Sequence, residues 1–332
     1  MKKVSVEQAK LWIEQRLTPF VESGRSFDVA KEMVGLTMSI ICEAAFEYQM
    51  DQKEKDDFLF ELELVLKEYT FKSSVNPFRA MVGLLLPERR RAAKGARRIQ
   101  GIARKVVNNY RRLQSPVKGT VIDLIMKCDA FQNDDERMRE VLSFLIAGHD
   151  TTGYSLSWTL LELARNPDEM DKLRKSIEII SEEDRNKSDA LHAVVKESMR
   201  LHPVAAGGSI RKTGKDIMKD GEVVIPRGAT VFLPLILFLR NPEYFENPGV
   251  FKPSRWHNPT EKATSAFFPF SLGKQNCVGQ ALANAELHTV TALLCSSYSF
   301  KVENEGKEEY FLTYKPAGAR LKAYKFRPVP AF

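Results

Sequence analysis

One stretch, Phe270-Ser271-Leu272-Gly273-Lys274-Gln275-Asn276-Cys277-Val278-Gly279, has residue types and a spacing suited to chemistry. It sets a single cysteine between two glycines, directly ahead of an amphipathic run from Gln280 to Leu294. A cysteine there lies at a helix N-terminus. The macrodipole and free N–H groups favour its thiolate, the form that binds metal. Gly273 and Gly279 remove side chains where a flat group would press on the backbone. A cysteine in an apolar stretch is ordinarily a small buried hydrophobe. The spacing F-x-x-G-x-x-x-C-x-G sets this one apart, because chance gives it in roughly one chain per thousand of such composition.

A second stretch breaks a local rule. Ala147-Gly148-His149-Asp150-Thr151-Thr152-Gly153 sits in the middle of a long apolar run from Asn133 to Arg165. Two glycines, an acid and two threonines are poor helix formers, and such a break inside a buried helix points to function. Gly148 would thin the helix so that something can lie against it. Asp150 and Thr151 would place a carboxylate and a hydroxyl beside that space, fit to relay protons. The plain alternative is a buried polar cluster bonded to the helix backbone. Two weaker signals follow. Glu197 and Arg200 lie three apart on one helix face, where an ordinary surface ion pair is the usual reading. Phe251-Lys252-Pro253-Ser254-Arg255-Trp256 is a loop with one arginine among aromatics.

The elements that must position these residues read as mainly α with small β-sheets. Helices are expected over Val6–Phe20 (stopped near Gly24), Phe27–Phe46 and Asp57–Tyr69. Asn76-Pro77 breaks the pattern, and a basic helix then runs to about Leu113. Asn133-Asp134-Asp135-Glu136 is a helix start, Asn166-Pro167 its end, and apolar residues on all faces predict a buried helix between them. Pro167–Ile180 and Asp189–Leu201 are further helices. After Pro203 the texture changes to strands. Asp220-Gly221 is a hairpin turn, and Glu222–Ile225 and Thr230–Leu233 form a small sheet. The tail reads as strands at Tyr298–Val302, Tyr310–Tyr314 and Leu321–Phe326. The chain is thus expected to form one domain over 1–332, helix-rich over 1–203 and mixed over 204–332.

Composition bounds the function. With 332 residues, 43% hydrophobic and 28% charged, the chain reads as soluble and globular, and no signal peptide or membrane-spanning segment is visible. Four scattered cysteines read as free thiols in a reducing compartment. Much of the +7 net charge lies in Arg89, Arg90, Arg91, Lys94, Arg97, Arg98, Arg104, Lys105, Arg111 and Arg112. A solvated helix face is the first reading of that run, then a surface for an acidic protein or anionic lipid. Nucleic acid comes last, since no aromatic interleaving or binding motif accompanies the charge. The apolar residues Phe78, Met81, Val82, Leu84, Leu85 and Leu86 just before it could touch a membrane surface, although packing on the protein itself is the simpler reading. Cys277 with His288 is too sparse for zinc; phosphate-loop, Gly-x-Ser-x-Gly and dinucleotide motifs are missing; and His149, His192, His202 and His257 form no triad.

In this order the pieces resemble the cytochrome P450 family, the haem-thiolate monooxygenases. Ala147 to Thr152 is similar to the oxygen-activating turn of the family's long helix. Glu197-Ser198-Met199-Arg200 resembles its E-x-x-R pair, Phe251 to Trp256 the loop whose arginine joins that pair, and Phe270 to Gly279 the cysteine loop. The resemblance implies a haem (iron-protoporphyrin IX) whose iron is ligated by Cys277, with Phe270, Gly273, Gly279, Ala147 and Gly148 about it. It implies proton delivery by Asp150 and Thr151, and a buried structural triad of Glu197, Arg200 and Arg255. Arg211 falls where the family often has an arginine for a haem propionate. The implied function is insertion of one oxygen atom from O₂ into an apolar organic substrate. Electrons would come from NADPH through a separate reductase. A haem-binding module without activity, and a haem-thiolate isomerase or dehydratase, are the alternatives; the Asp150–Thr151 pair speaks against the last.

Two departures matter. Gln275 stands where the family usually has a basic residue. The family's first third, with its membrane anchor, first strands and W-x-x-x-R helix, is expected to be missing, which makes this a P450-like fold lacking its N-terminal portion. Trp12 and Arg16 have the W-x-x-x-R spacing, but Phe27-Asp28-Val29 follows too soon, so the match reads as accidental. The endoplasmic reticulum membrane is the expected location of a full-length parent.

Overall fold

In the computed structural model, which describes residues 2–326 apart from 77, 82–84 and 182–183, ten main helices and nine strands carry the described chain. The helices are α1 (Lys2–Trp12), α2 (Thr18–Ser23), α3 (Val29–Phe46), α4 (Gln52–Leu66), α5 (Pro87–Arg112), α6 (Val121–Lys127), α7 (Asp134–Arg165), α8 (Pro167–Glu178), α9 (Asp189–Leu201) and α10 (Gln280–Ser297). The strands are β1 (Phe27–Asp28), β2 (Ser209–Lys212), β3 (Ile217–Lys219), β4 (Glu222–Ile225), β5 (Thr230–Leu233), β6 (Tyr298–Asn304), β7 (Lys307–Phe311), β8 (Thr313–Ala317) and β9 (Arg320–Lys325). The fold is therefore mainly α with small sheets, as the pattern predicts. Pro77, Val82 and Leu84 of the break and apolar stretch lie outside the described residues.

The chain forms two compact units, residues 1–34 with 151–332, and residues 35–150. In the first, α10 is the hub. It packs on α1, α8 and α9, and Leu287, Val290, Leu294 and Cys295 bury its inner face. All four sheets lie here and all are antiparallel: β1-β9-β6, β2-β5, β3-β4 and β7-β8. In the second unit α4 packs along α5. Phe58 and Leu62 of α4, and Ala92, Ile99, Ala103 and Val106 of α5, are buried.

Local signals explain most boundaries. Gly24 ends α2 in the left-handed conformation at φ 63°, which a glycine adopts without strain. Asn133 Oδ1 accepts the Glu136 N–H at 3.0 Å and starts α7. Asp220 and Gly221, at φ 51° and 86°, turn β3 into β4. The tail differs from its expected form. Tyr310–Tyr314 is not one strand but the tip of a hairpin. Leu312 turns at φ 61° and brings Phe311 opposite Thr313. No glycine, asparagine or proline marks that turn, so the sequence hides it.

Two further expectations resolve locally. Trp12 Nε1 donates to Glu32 Oε2 at 3.0 Å, and Arg16 holds both oxygens of the same carboxylate. Their spacing thus serves to fix both residues on Glu32 of α3. Helix α7 is not buried all round: Asp135, Arg139, Ser143 and Ala147 form an exposed stripe along its first half, opposite Val141, Leu145 and His149.

Candidate functional site

The cysteine loop is built by a short-range fold-back. The Cys277 N–H donates to the Phe270 carbonyl at 2.8 Å, closing the loop on its first residue. Ser271 and Gly273 take left-handed φ values of 62° and 79°, which bend the chain between them. Helix α10 starts at Gln280 with Gly279 as its cap, so Cys277 stands just ahead of the first turn. Its own N–H is committed to Phe270, while the Val278 and Gly279 N–H groups make no hydrogen bond among the described residues. A Cβ added at Gly279 would come to 3.8 Å from the Cys277 sulfur. Arg211 on β2 reaches the loop through its Nη2, 3.4 Å from Ser271 Oγ.

The four cysteines differ in what they can do. Cys42 and Cys295 are buried, and burial pushes both thiols up to about 12. They stay protonated and inert. Cys128, beyond the end of α6, is half-buried, and Cys277 is exposed. A thiolate ligand has to be reachable and able to lose its proton. Cys277, exposed on the loop just ahead of α10, meets the first. Among the described residues no three histidine, cysteine or acidic side chains converge as a metal cluster.

Glu197, Arg200 and Arg255 come together. Arg200 donates Nε and Nη2 to Glu197 at 2.9 and 3.0 Å, and Arg255 donates Nε at 2.8 Å. Glu197 and Arg200 are fully buried, so this is no surface ion pair. The remaining Arg200 hydrogens go to the carbonyls of Leu239, Pro248 and Val250. Sequence reasoning missed two members. Trp256 Nε1 donates to Glu197 Oε2 at 3.0 Å, and the Lys252 N–H to Oε1 at 2.9 Å. The aromatic flanking the loop arginine was the signal for the first.

On α7, Ala147 is exposed and Gly148 half-buried. The glycine has a reason within its own unit: a Cβ built there would run into Ile41 of α3. What lies against the thinned helix at that point is α3. Asp150 turns back along the helix, its Oδ1 3.1 Å from His149 Nε2, and Thr151 is half-buried beside it. The basic helix is sorted by face. Arg98, Lys105 and Arg111 pair with Glu61, Glu54 and Asp134, while Arg89 and Arg91 lie over Tyr69 and Phe60. Arg90, Lys94, Arg97 and Arg104 are exposed and make no ion pair among the described residues.

A cleft of about 550 Å³ borders the loop between α9 and α10. Phe267, Phe270, Lys196, His192 and His288 are among its lining, and no carboxylate is. The two imidazoles stack with centroids 4.2 Å apart, and burial with the neighbouring His192 lowers His288 to about 4.

Comparison with known proteins gives this site its family. The family model described as cytochrome P450 matches residues 2–323, and the chain belongs to the cytochrome P450 family. That family is one of haem-binding monooxygenase oxidoreductases. Cytochrome P450 4F8 of Homo sapiens is 27% identical over 309 residues, covering 84% of this chain and 59% of that protein. Cytochrome P450 4F12 of Homo sapiens is 36% identical over 179 residues, 51% of this chain and 34% of that one. The cytokinin hydroxylase of Arabidopsis thaliana is 30% identical over 54% of this chain and 36% of its own. The chain thus spans only about a third to three fifths of these relatives. A crystal structure of a cytochrome P450 (CYP102L1) superposes with a TM-score of 0.83 at 21% identity, covering 97% of this chain and 76% of that one.

Proposed function

We propose that this chain is the haem-thiolate part of a monooxygenase, acting as one domain over 1–332, that inserts one atom of O₂ into an apolar organic substrate. One observation carries the proposal. Of two cysteines that begin or lie in α10's neighbourhood, Cys295 is locked in the core, whereas Cys277 is exposed on a glycine-flanked loop at the helix start. The residues present fit a haem. Cys277 would ligate the iron, Phe270 would pack beside the group, and Gly273 and Gly279 would keep side chains out of its way. Arg211, already drawn to Ser271, would meet a propionate. When bound, the haem supplies oxygen activation; the chain supplies the rest.

The Glu197–Arg200–Arg255 cluster, with Trp256, holds α9 against the loop that leads to Cys277, so the sulfur is positioned by a rigid support. Asp150 and Thr151, adjacent on α7, would supply a carboxyl and a hydroxyl for proton delivery. Electrons would come from NADPH through a separate reductase. The cleft beside the loop, with Lys196 and His192 and no carboxylate in its lining, suits an acidic partner. Contact with a membrane surface is supported by exposed Phe71, Val75, Phe78, Met81 and Leu85 near the free cations of α5. The endoplasmic reticulum is the matching location. No helix among the described residues is long and apolar enough to cross a membrane.

The test is spectroscopic. Protein loaded with haem, reduced and exposed to carbon monoxide should show the red-shifted Soret band of a thiolate ligand. Cys277→Ala should abolish it, and Cys128→Ala should leave it. A band that survives Cys277→Ala ends the proposal. Turnover with a reductase and NADPH then separates an enzyme from a haem-binding module.

A further inference from the structure

Helix α5 sorts its cations by face. Ala92, Ile99, Ala103 and Val106 turn into the core. At about 100° per residue the opposite face carries Arg90, Lys94, Arg97, Arg104 and Arg112, a row about 33 Å long and about 80° wide. All five are exposed and make no ion pair among the described residues. Gly101 and Asn108 fill the gaps between them and carry no charge. The cations off the row are answered instead. Arg98, Lys105 and Arg111 pair with Glu61, Glu54 and Asp134, and Arg89 and Arg91 lie over Tyr69 and Phe60. The one acid of α5, Glu88, is held by Lys72 and Arg79.

Like charges three and four apart oppose the helix that carries them, so Arg90, Lys94 and Arg97 do nothing for the stability of α5. Such a row suits an anionic surface. Its N-terminal end adjoins apolar surface. Phe71, Phe78, Met81 and Leu85 are exposed. Lys72 and Arg79 of that stretch reach Glu88 in the first turn of α5, and Arg89 donates to Ser73 Oγ at 3.3 Å. The apolar patch and the row are thus joined within one unit.

We propose that the α5 row docks on an anionic lipid bilayer, with its five cations at the headgroups and the apolar side chains of 71–85 in the layer beneath. This rests on the membrane contact proposed above and names the class of lipid it selects. Exposed aromatic and aliphatic side chains gain by leaving water, and a bilayer sets an apolar layer directly under its phosphates. Nucleic acid and acidic polypeptide offer the charge without that layer. Each Lys or Arg beside an anionic leaflet raises affinity about fivefold, and three engaged at once give about a hundredfold. The row is straight and faces away from the core, so a flat surface reaches it without any change in fold.

The test sediments the full chain with vesicles of phosphatidylcholine alone, or with about a third phosphatidylserine. Wild type should bind the anionic set about a hundredfold more tightly, and about 1 M salt should remove most of that preference. Arg90→Gln, Lys94→Gln, Arg97→Gln, Arg104→Gln and Arg112→Gln combined should lose the preference and keep the binding to phosphatidylcholine. Lys212→Gln, Lys215→Gln, Lys219→Gln, Arg227→Gln and Lys301→Gln combined remove as many exposed charges elsewhere, and should bind within about threefold of wild type. A preference that survives the first variant, or falls equally in the second, overturns the proposal. So does wild type that binds poly-glutamate or DNA through the row and ignores phosphatidylserine. Equal binding to both vesicle types overturns the anionic row and leaves the membrane contact standing; binding to neither ends both.

Discussion

Replacing Glu197 by glutamine changes one atom type at the centre of the cluster that ties α9 to the segment around Arg255. The carboxylate accepts from five donors. Oε1 takes Arg200 Nη2, Arg255 Nε and the Lys252 N–H; Oε2 takes Arg200 Nε and Trp256 Nε1. An amide has one oxygen and one NH₂. With the oxygen on the Oε1 side, two donors face the NH₂; turned over, three do. The Arg200 guanidinium, fully buried, also loses its counter-charge. Breaking such a buried pair costs about 3–5 kcal/mol. The change should appear as that loss in urea unfolding, or a fall in Tm of about 2 °C per kcal/mol for a chain of this size. Arg255→Lys probes the rim. Arg255 keeps 11% of its side chain exposed and leaves the Arg200–Glu197 bonds intact, so about 1–2 kcal/mol is expected. The double variant should fall short of the sum, because both changes act on one carboxylate. Glu197→Gln within about 1 kcal/mol of wild type would refute the account, since it would mean that Arg200 tolerates burial without its partner.

Three further outcomes follow from single contacts. Gly148→Ala should destabilise by about 1–3 kcal/mol through the clash with Ile41. Ile41→Val, which deletes the clashing methyl, should restore most of that in the double variant, as urea unfolding will show. His288, lowered from 6.5 to about 4 by burial, makes the folded chain hold fewer protons than the unfolded one between those values. Stability should therefore fall as pH drops through that window, by about 3 kcal/mol from this group. His288→Leu should lose less stability than wild type between pH 7 and pH 4.5, and equal losses would reject the assignment. Trp12→Phe, which removes the Nε1 donor to buried Glu32, should cost about 1 kcal/mol, while Arg16 keeps the carboxylate satisfied.

Sequence patterns carry this fold furthest where one short segment determines the geometry. Gly24, Asn133 and Asp220-Gly221 each act through their own backbone, and each boundary falls where its residue types put it. The Leu312 turn acts through pairing of β7 with β8, which no turn residue announces. The candidate site divides the same way. A spacing of three on a helix brings Glu197 to Arg200, but it says nothing of depth. The buried Arg200 is met by three carbonyls, of Leu239, Pro248 and Val250, which lie 39, 48 and 50 residues along the chain. Trp256 was visible as a residue type and not as a donor, because its partner lies on another element.

The polar turn of α7 shows why breaking a local rule marks a place without naming its use. Poor helix formers at 147–153 point to one purpose, but the structure divides them. Gly148 admits Ile41, and His149 bonds back to Leu145. A glycine kept for packing tolerates alanine once Ile41 is trimmed, whereas one kept for a ligand does not. The Gly148→Ala, Ile41→Val pair therefore separates the two uses. Stability restored together with the carbon monoxide band assigns Gly148 to packing alone. Stability restored with the band lost or shifted assigns it also to the cofactor set.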